Sequence, residues 1–262
     1  MKRSTRQKLI RYSLYGVLIL GVGLFALLAD WARIARSFFN LEIAADMFPE
    51  ILTTAARNTI MYTALAFTFG FILALVLALM KLSSIKPYRW LAITYIELFR
   101  GLPALVTIIF VAFAIPIAFP GVSIPGGALG QGTIGLGIVA GAYMAETIRA
   151  GIEAVPRGQM EAARSLGMSW ATAMTYIILP QAFRIIIPPL TNELVLLIKD
   201  TSLFFVLGTT PASKELTKFG RDLMNSKFNG TPLTVVALVY LAITLPLTWL
   251  VSRLEKRTAA AR

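Results

Sequence analysis

Ionisable and amide groups sit in this chain where an oily sequence would ordinarily carry none. Asn192, Glu193, Lys199 and Asp200 follow the double proline Pro188-Pro189, and Arg100 and Glu146 lie in two other apolar stretches. With no Cys and no His, thiol chemistry, disulfides, histidine proton relays and the usual zinc, haem and iron–sulfur ligand sets drop out. Acid–base catalysis would rest on Glu193, Lys199 and Asp200, but nothing places a nucleophile, metal or cofactor beside them. Recognition of a passing solute is the better chemistry. An ionised group near a bilayer centre costs about 2.5–3.5 kcal/mol on insertion scales, so several in one span should face inward and pair. Glu193 suits a cationic portion of a solute or a gate, and Arg100 suits a carboxylate. Lys199 and Asp200 read equally as a pair at a helix end. Glu146, beside Arg149, reads as a structural ion pair or as the lip of a pathway. Glu97 and Arg100, three apart on one helix face, read as a mutual pair or as interfacial snorkelling.

The elements that carry these groups follow from composition. Of 262 residues 57% are hydrophobic and 15% charged, a membrane class. The net charge of +12 comes from Lys and Arg that flank apolar runs instead of forming one patch. Lipid is therefore the expected surrounding and nucleic acid is not a partner. Six transmembrane helices are expected, at residues 12–29, 58–80, 90–115, 134–148, 176–198 and 232–251. The first is longer than the apolar core of a signal peptide and lacks a small-residue cleavage site, so it reads as an uncleaved span. Residues 30–57 read as an external amphipathic segment, 116–132 as a charge-free outer loop, and 203–230 as an outer segment with a short helix near 212–218. Gly135, Gly137 and Gly141 suit close helix packing, and Pro180, Pro188 and Pro189 should interrupt the fifth span. Lys81, Lys86 and Arg89, with Arg253, Lys256 and Arg257, place both termini in the cytoplasm. The domains read as 1–57 (tail, extra span and external segment), 58–255 (membrane domain) and 256–262 (cytoplasmic tail).

Between the fourth and fifth spans lies a polar island at residues 151–167, too polar to cross a bilayer. Pro156 suits a helix start, Glu161, Ala162, Ala163 and Leu166 favour helix, and Gly167 suits its end. The spacing predicts a short surface helix over about 157–166, presenting Met160, Ala163 and Leu166 to a partner while Arg157, Glu161 and Arg164 meet water or that partner. Beyond it the spacing is more informative still. Glu161-Ala162-Ala163 is followed after three residues by Gly167, then after nine by Ile177, and after one more by Leu179-Pro180.

This pattern resembles the EAA loop of permease subunits of binding-protein-dependent ABC importers. Further stretches resemble the polar amino acid branch: Tyr95-x-Glu97-x-x-Arg100-Gly101-x-Pro103, Gly141-Ala-Tyr-x-Ala-Glu146-x-x-Arg149, Gly158-Gln159, Pro180-Gln181-Ala182-x-Arg184, Pro188-Pro189-x-x-Asn192 and Lys199-Asp-Thr-Ser-Leu203. The likeness covers about 58–255. It implies a five-helix importer core carrying one extra N-terminal span, in a bacterial cytoplasmic membrane, working with an ATPase dimer, a second permease that is a copy or a paralogue, and an extracytoplasmic solute-binding protein. It implies an amino acid as cargo and a groove in the ATPase that receives the short helix, with coupling assigned to Arg157, Gly158, Glu161, Ala162, Ala163, Arg164 and Gly167. The candidate pathway residues are Arg100, Glu146, Asn192, Glu193, Lys199 and Asp200. No phosphate-binding Gly-x4-Gly-Lys-Ser/Thr loop occurs, so ATP and magnesium are expected on the ATPase and the chain itself is not an enzyme. An ion-coupled secondary transporter or channel is the alternative, since broken helices and intramembrane charges also mark such proteins.

Overall fold

A computed structural model describes residues 3–121 and 126–260. Residues 1–2 and 261–262 of the two tails, and 122–125 of the expected outer loop, lie outside the described residues. Every regular element among the described residues is helical.

Helix α1 (Arg3–Leu28) stands apart: its apolar stretch Ile10–Leu28 buries nothing against the rest of the chain. A helix that is apolar all round and unburied needs lipid as its solvent. The amphipathic segment that follows consists of α2 (Trp31–Phe38), capped by Asp30, and α3 (Leu41–Asp46), where Asn40 accepts from the N–H groups of Glu42 and Ile43. Both are pinned to one end of the bundle. Asn229 donates to Arg36 O, Gly230 N–H to Ser37 O, and Asn40 N–H to Thr231 Oγ1.

Helix α4 (Arg57–Leu82) prolongs a π-helical turn at Ile51–Ala56. The expected third span is not one straight helix. Helix α5 (Lys86–Gly101) and the stretch Ala104–Ala118, comprising α6 (Ala104–Ile109), a π-helical turn (Phe110–Ala114) and α7 (Ile115–Ala118), meet at a bend of 108°. Pro103 lacks an N–H and drives Leu102 to an extended φ of −92° and ψ of 143°, which stops α5 there.

Helix α8 (Gly127–Glu153) leads through three residues to α9 (Arg157–Ser165). A continuous rod Trp170–Val206 follows, built from α10 (Trp170–Ala173), a π-helical turn (Met174–Ile178), α11 (Leu179–Asp200) and a 3₁₀ turn (Thr201–Val206). The expected interruption at the prolines does not occur. Pro180 stands two residues past the end of a π-helical turn, as does Pro116 in α7, and that wider turn takes up the missing donor and the ring. The outer helix also differs from expectation: α12 spans Leu216–Lys227, whereas residues 207–215 form a strap apart from a 3₁₀ turn at Pro211–Ser213. Helix α13 (Thr231–Ala260) closes the chain.

Helices α4 and α8 run parallel through the centre. Gly70 faces Gly137 and Ala140, Gly141 faces Leu73, and Lys81 reaches Glu146. Helix α11 runs the other way, with Ile186 against Gly151 and, beyond its end, Phe204 and Leu207 against Gly132. The interior is built largely of small residues such as Ala66, Ala74, Ala140 and Ala145, while Leu65, Ile72, Val76 and Leu79 point outward. Lipid tails are as apolar as leucine, so close fit, not hydrophobicity, selects the helix-to-helix faces. Four helical stretches among the described residues are long and apolar enough to cross a membrane, or five if the bent pair is one span. Gly-rich α8 is not among them; its buried Leu136, Ala140, Met144 and Ile148 are enclosed by neighbours.

Candidate functional site: a surface helix and the charged residues of the bundle

Helix α9 forms where the sequence predicts, for local reasons. Pro156 occupies its N-cap with φ −55° and ψ 132°, a conformation the ring favours. At the other end Gly167 adopts φ +84°, and its N–H donates to Arg164 O while Met168 N–H reaches back to Ala163 O. This pair of bonds is a Schellman ending, which needs a left-handed residue that glycine adopts without Cβ strain.

The two faces of α9 differ from expectation in one respect. Met160 packs on the bundle core and Ala163 is buried, so both serve the chain's own packing and do not point to a partner. Facing out are Gly158, Glu161, Ala162 and Ser165, with Arg157 and Arg164 also exposed. Leu166 just past the helix is 83% exposed. Gln159 and Gln181 meet at 3.3 Å, and Arg164 donates to Met168 O, tying the helix to the start of α11 and to its own exit.

The other predicted residues are distributed over three helices. Arg100 lies over the Tyr143 ring at 5.6 Å, and Tyr143 donates to Arg100 O. Of the two readings of Glu97 and Arg100, the mutual ion pair is not formed. Glu146 is paired twice, with Lys81 at 2.8 Å and with Arg149, which also binds Glu153. On α11, Asn192 and Lys199 are exposed, Glu193 and Asp200 half-buried, and no ion pair joins Glu193, Lys199 or Asp200 to any described residue. Asn192 and Lys199 are seven apart and therefore share one side of the helix.

Sequence reasoning missed a buried acid at the opposite end of the bundle from α9. Glu215 is fully buried, caps α12 by accepting from Thr217 and Lys218 N–H at 2.6 Å each, and accepts from the Tyr240 hydroxyl at 3.3 Å. The strap before it is sewn to α4: Asn58 donates to Ala212 O and Lys214 O, Tyr62 to Ser213 O, and Leu216 N–H to Thr59 Oγ1. Glutamate is not a favoured cap residue, so no local signal marked it. Desolvation pushes its carboxyl up to about 7 against the hydrogen bonds that lower it. A raised folded-state value means that the stabilisation is complete below the unfolded value near 4.5 and is lost as pH rises through about 7. Melting of the detergent-solubilised protein should therefore move to lower temperature across that window, and Glu215→Gln should flatten the dependence. An unchanged slope in the variant would assign it to another group. Nearby basic residues have partners of their own: Lys214 and Lys218 share Asp222, Lys227 reaches Asp46, and Arg221 covers the Phe205 ring.

Residues 66–260 match the family described as binding-protein-dependent transport system inner membrane component. The chain belongs to this family. It is thus a multi-pass membrane component of a transport system, not a catalyst in its own right. Its relatives include the probable glutamine ABC transporter permease protein GlnM of Bacillus subtilis (strain 168), 39% identical over 83% of this chain and 97% of that protein. Another is the glutamine transport system permease protein GlnP of Escherichia coli (strain K12), 34% identical over 79% of this chain and 92% of its own length. Among solved structures, an amino acid ABC transporter crystallised with histidines matches with a TM-score of 0.75 and 37% identity, over 83% of this chain and 98% of that one.

Proposed function

We propose that this chain is a transmembrane permease subunit of an ATP-driven importer for a polar or charged amino acid received from an extracytoplasmic binding protein. The observation that carries the reading is α9, a polar helix seated on the end of the bundle between two long helices, with Glu161, Ala162 and the following Leu166 exposed. Such a helix moves with the helices it joins, so a partner that grips it can rock them. The partner is an ATPase dimer, which binds the ATP and magnesium. Coupling falls to Arg157, Gly158, Glu161, Ala162, Arg164 and Gly167, while Ala163 acts by seating the helix. Relatives named for glutamine, arginine and cystine transport support an amino acid cargo.

In this reading the α9 end of the bundle and both termini are cytoplasmic, and six spans are present, counting α1, the bent pair and α8. Residues 58–255 form the permease domain and 1–57 the additional span with its external segment. The exposed Asn192 and Lys199 do not face lipid, because polar groups at membrane depth need a wet cavity or protein. They border the second permease or the pathway, together with Arg100, Glu193 and Asp200. Glu146 is the exception among the pathway candidates, since two cations already neutralise it.

The test is to purify the complex through a tag on this chain and measure uptake in proteoliposomes. Two ATPase copies, with binding-protein-dependent uptake that follows ATP and ignores ion gradients, are expected. A chain recovered alone that moves amino acids without ATP would reject the importer and establish the ion-coupled alternative. Within the complex, Glu193→Gln is expected to change the ranking of competing cationic, neutral and anionic amino acids by about tenfold, one charge contact's worth. An unchanged ranking with normal coupled ATPase would remove Glu193 from the pathway.

A further inference from the structure

The ion-pair cluster at the α9 end of the bundle is not absorbed by the pathway reading. Glu146 Oε2 receives Lys81 Nζ at 2.8 Å and Arg149 Nε at 3.1 Å, Arg149 also binds the second oxygen of Glu146, and its other nitrogen binds Glu153. Two positive and two negative charges balance, and the side chains of Lys81, Glu146 and Arg149 are no more than 23% exposed. Three of the four groups belong to α8. Only Lys81, in the last turn of α4, comes from another helix.

The position of that link matters. Glu153 ends α8, and only three residues separate it from the start of α9. Gly151 lies so close to α11 that a Cβ would stand 2.2 Å from Ile186 Cγ1. Val155 is buried and Met160 packs on the core. The end of α8, the start of α11 and α9 are thus locked by shape; the same end of α4 packs on this core through Leu77 and Ala78 and adds one charged link, Lys81. Elsewhere α4 and α8 touch through glycine and alanine surfaces, which fix distance better than rotation. A charge-assisted pair to an oriented carboxylate adds a directional constraint that small-residue packing lacks.

We infer that Lys81 is a positioning residue that ties α4 to the α8–α9 unit, so that displacement of α9 is passed to α4 at the Glu146 carboxylate. The assignment rests on the reading of α9 as the ATPase contact. Removing Lys81 leaves Glu146 paired with Arg149, so no acid is stranded in the bundle and the chain should still assemble.

The experiment uses the reconstituted complex with its ATPase and binding protein, and reads the ratio of stimulated to basal ATPase together with uptake, each per recovered complex. Lys81→Met should lower both at least threefold while basal ATPase persists, and Lys81→Arg should restore both to within twofold of the unmodified complex. A normal ratio and normal uptake in Lys81→Met overturn the assignment, as does an equal defect in Lys81→Arg. If Lys81→Met complexes are not recovered, Lys81→Gln carries the same readout, and a normal ratio there overturns it too. An unmodified complex that recovers no ATPase, or whose ATPase ignores the binding protein, instead sinks the importer reading itself.

Discussion

Leu166→Asp is expected to reduce ATP-dependent uptake about tenfold or more while the chain reaches the membrane in normal amount. Leu166 is 83% exposed and follows the last turn of α9, so its side chain contributes little to the permease's own packing. Substitutions at such positions usually leave stability within about 0.5 kcal/mol. Burying a leucine against a partner is worth about 1.5–3 kcal/mol, and forcing a carboxylate into the same apolar place costs more. Every 1.4 kcal/mol is about tenfold in affinity. Loss of ATPase co-purification with unchanged membrane yield is the measurement that checks it; normal uptake would mean that the leucine meets no partner. Ala163→Glu makes the contrast, because Ala163 is buried. That variant should lose folded protein as well as uptake, and so says less about the partner.

Gly70→Val is expected to be the most damaging single change inside the bundle. A Cβ at Gly70 would stand 2.8 Å from the carbonyl oxygen of Gly137 and 3.2 Å from the Ala140 methyl, contacts with backbone and a rigid group that cannot swing aside. The two helices must separate or rotate, and overpacking of this kind costs about 1–3 kcal/mol, occasionally more. Valine adds two methyls to that Cβ, so the upper end applies. The expected result is a severalfold fall in monodisperse protein after solubilisation and a lower melting temperature, with Gly70→Ala intermediate. Gly16, Gly21 and Gly23 in α1 have nothing within 4 Å of a Cβ, so alanine there should leave both measurements unchanged. If Gly70→Val melts like the unmodified protein, the parallel α4–α8 packing is wrong.

The sequence alone determined the membrane class, the helical architecture and the boundaries of α9. These depend on local chemistry: apolar run length, a proline that presets one backbone angle, and a glycine that accepts a left-handed one. The motif spacing likewise pointed to the family, because the residues of the motif are near neighbours in the chain. Tertiary structure decided which side of each helix does what. Ala163 turned inward and Leu166 outward on adjoining turns, since the floor under α9 is supplied by distant residues that no periodicity within nine residues reveals. Arg100 meets the Tyr143 ring, not Glu97, a partner supplied by another helix 43 positions away. The prolines of the Trp170–Val206 rod leave it continuous, since a π-helical turn takes up Pro180, a hydrogen-bond rearrangement that composition does not encode. Lys81 joined Glu146 across 65 positions of sequence, and Glu215 vanished beneath α4 and α13. Charge partners of that separation are fixed by the packing of small residues on parallel helices, which a sequence permits but does not specify.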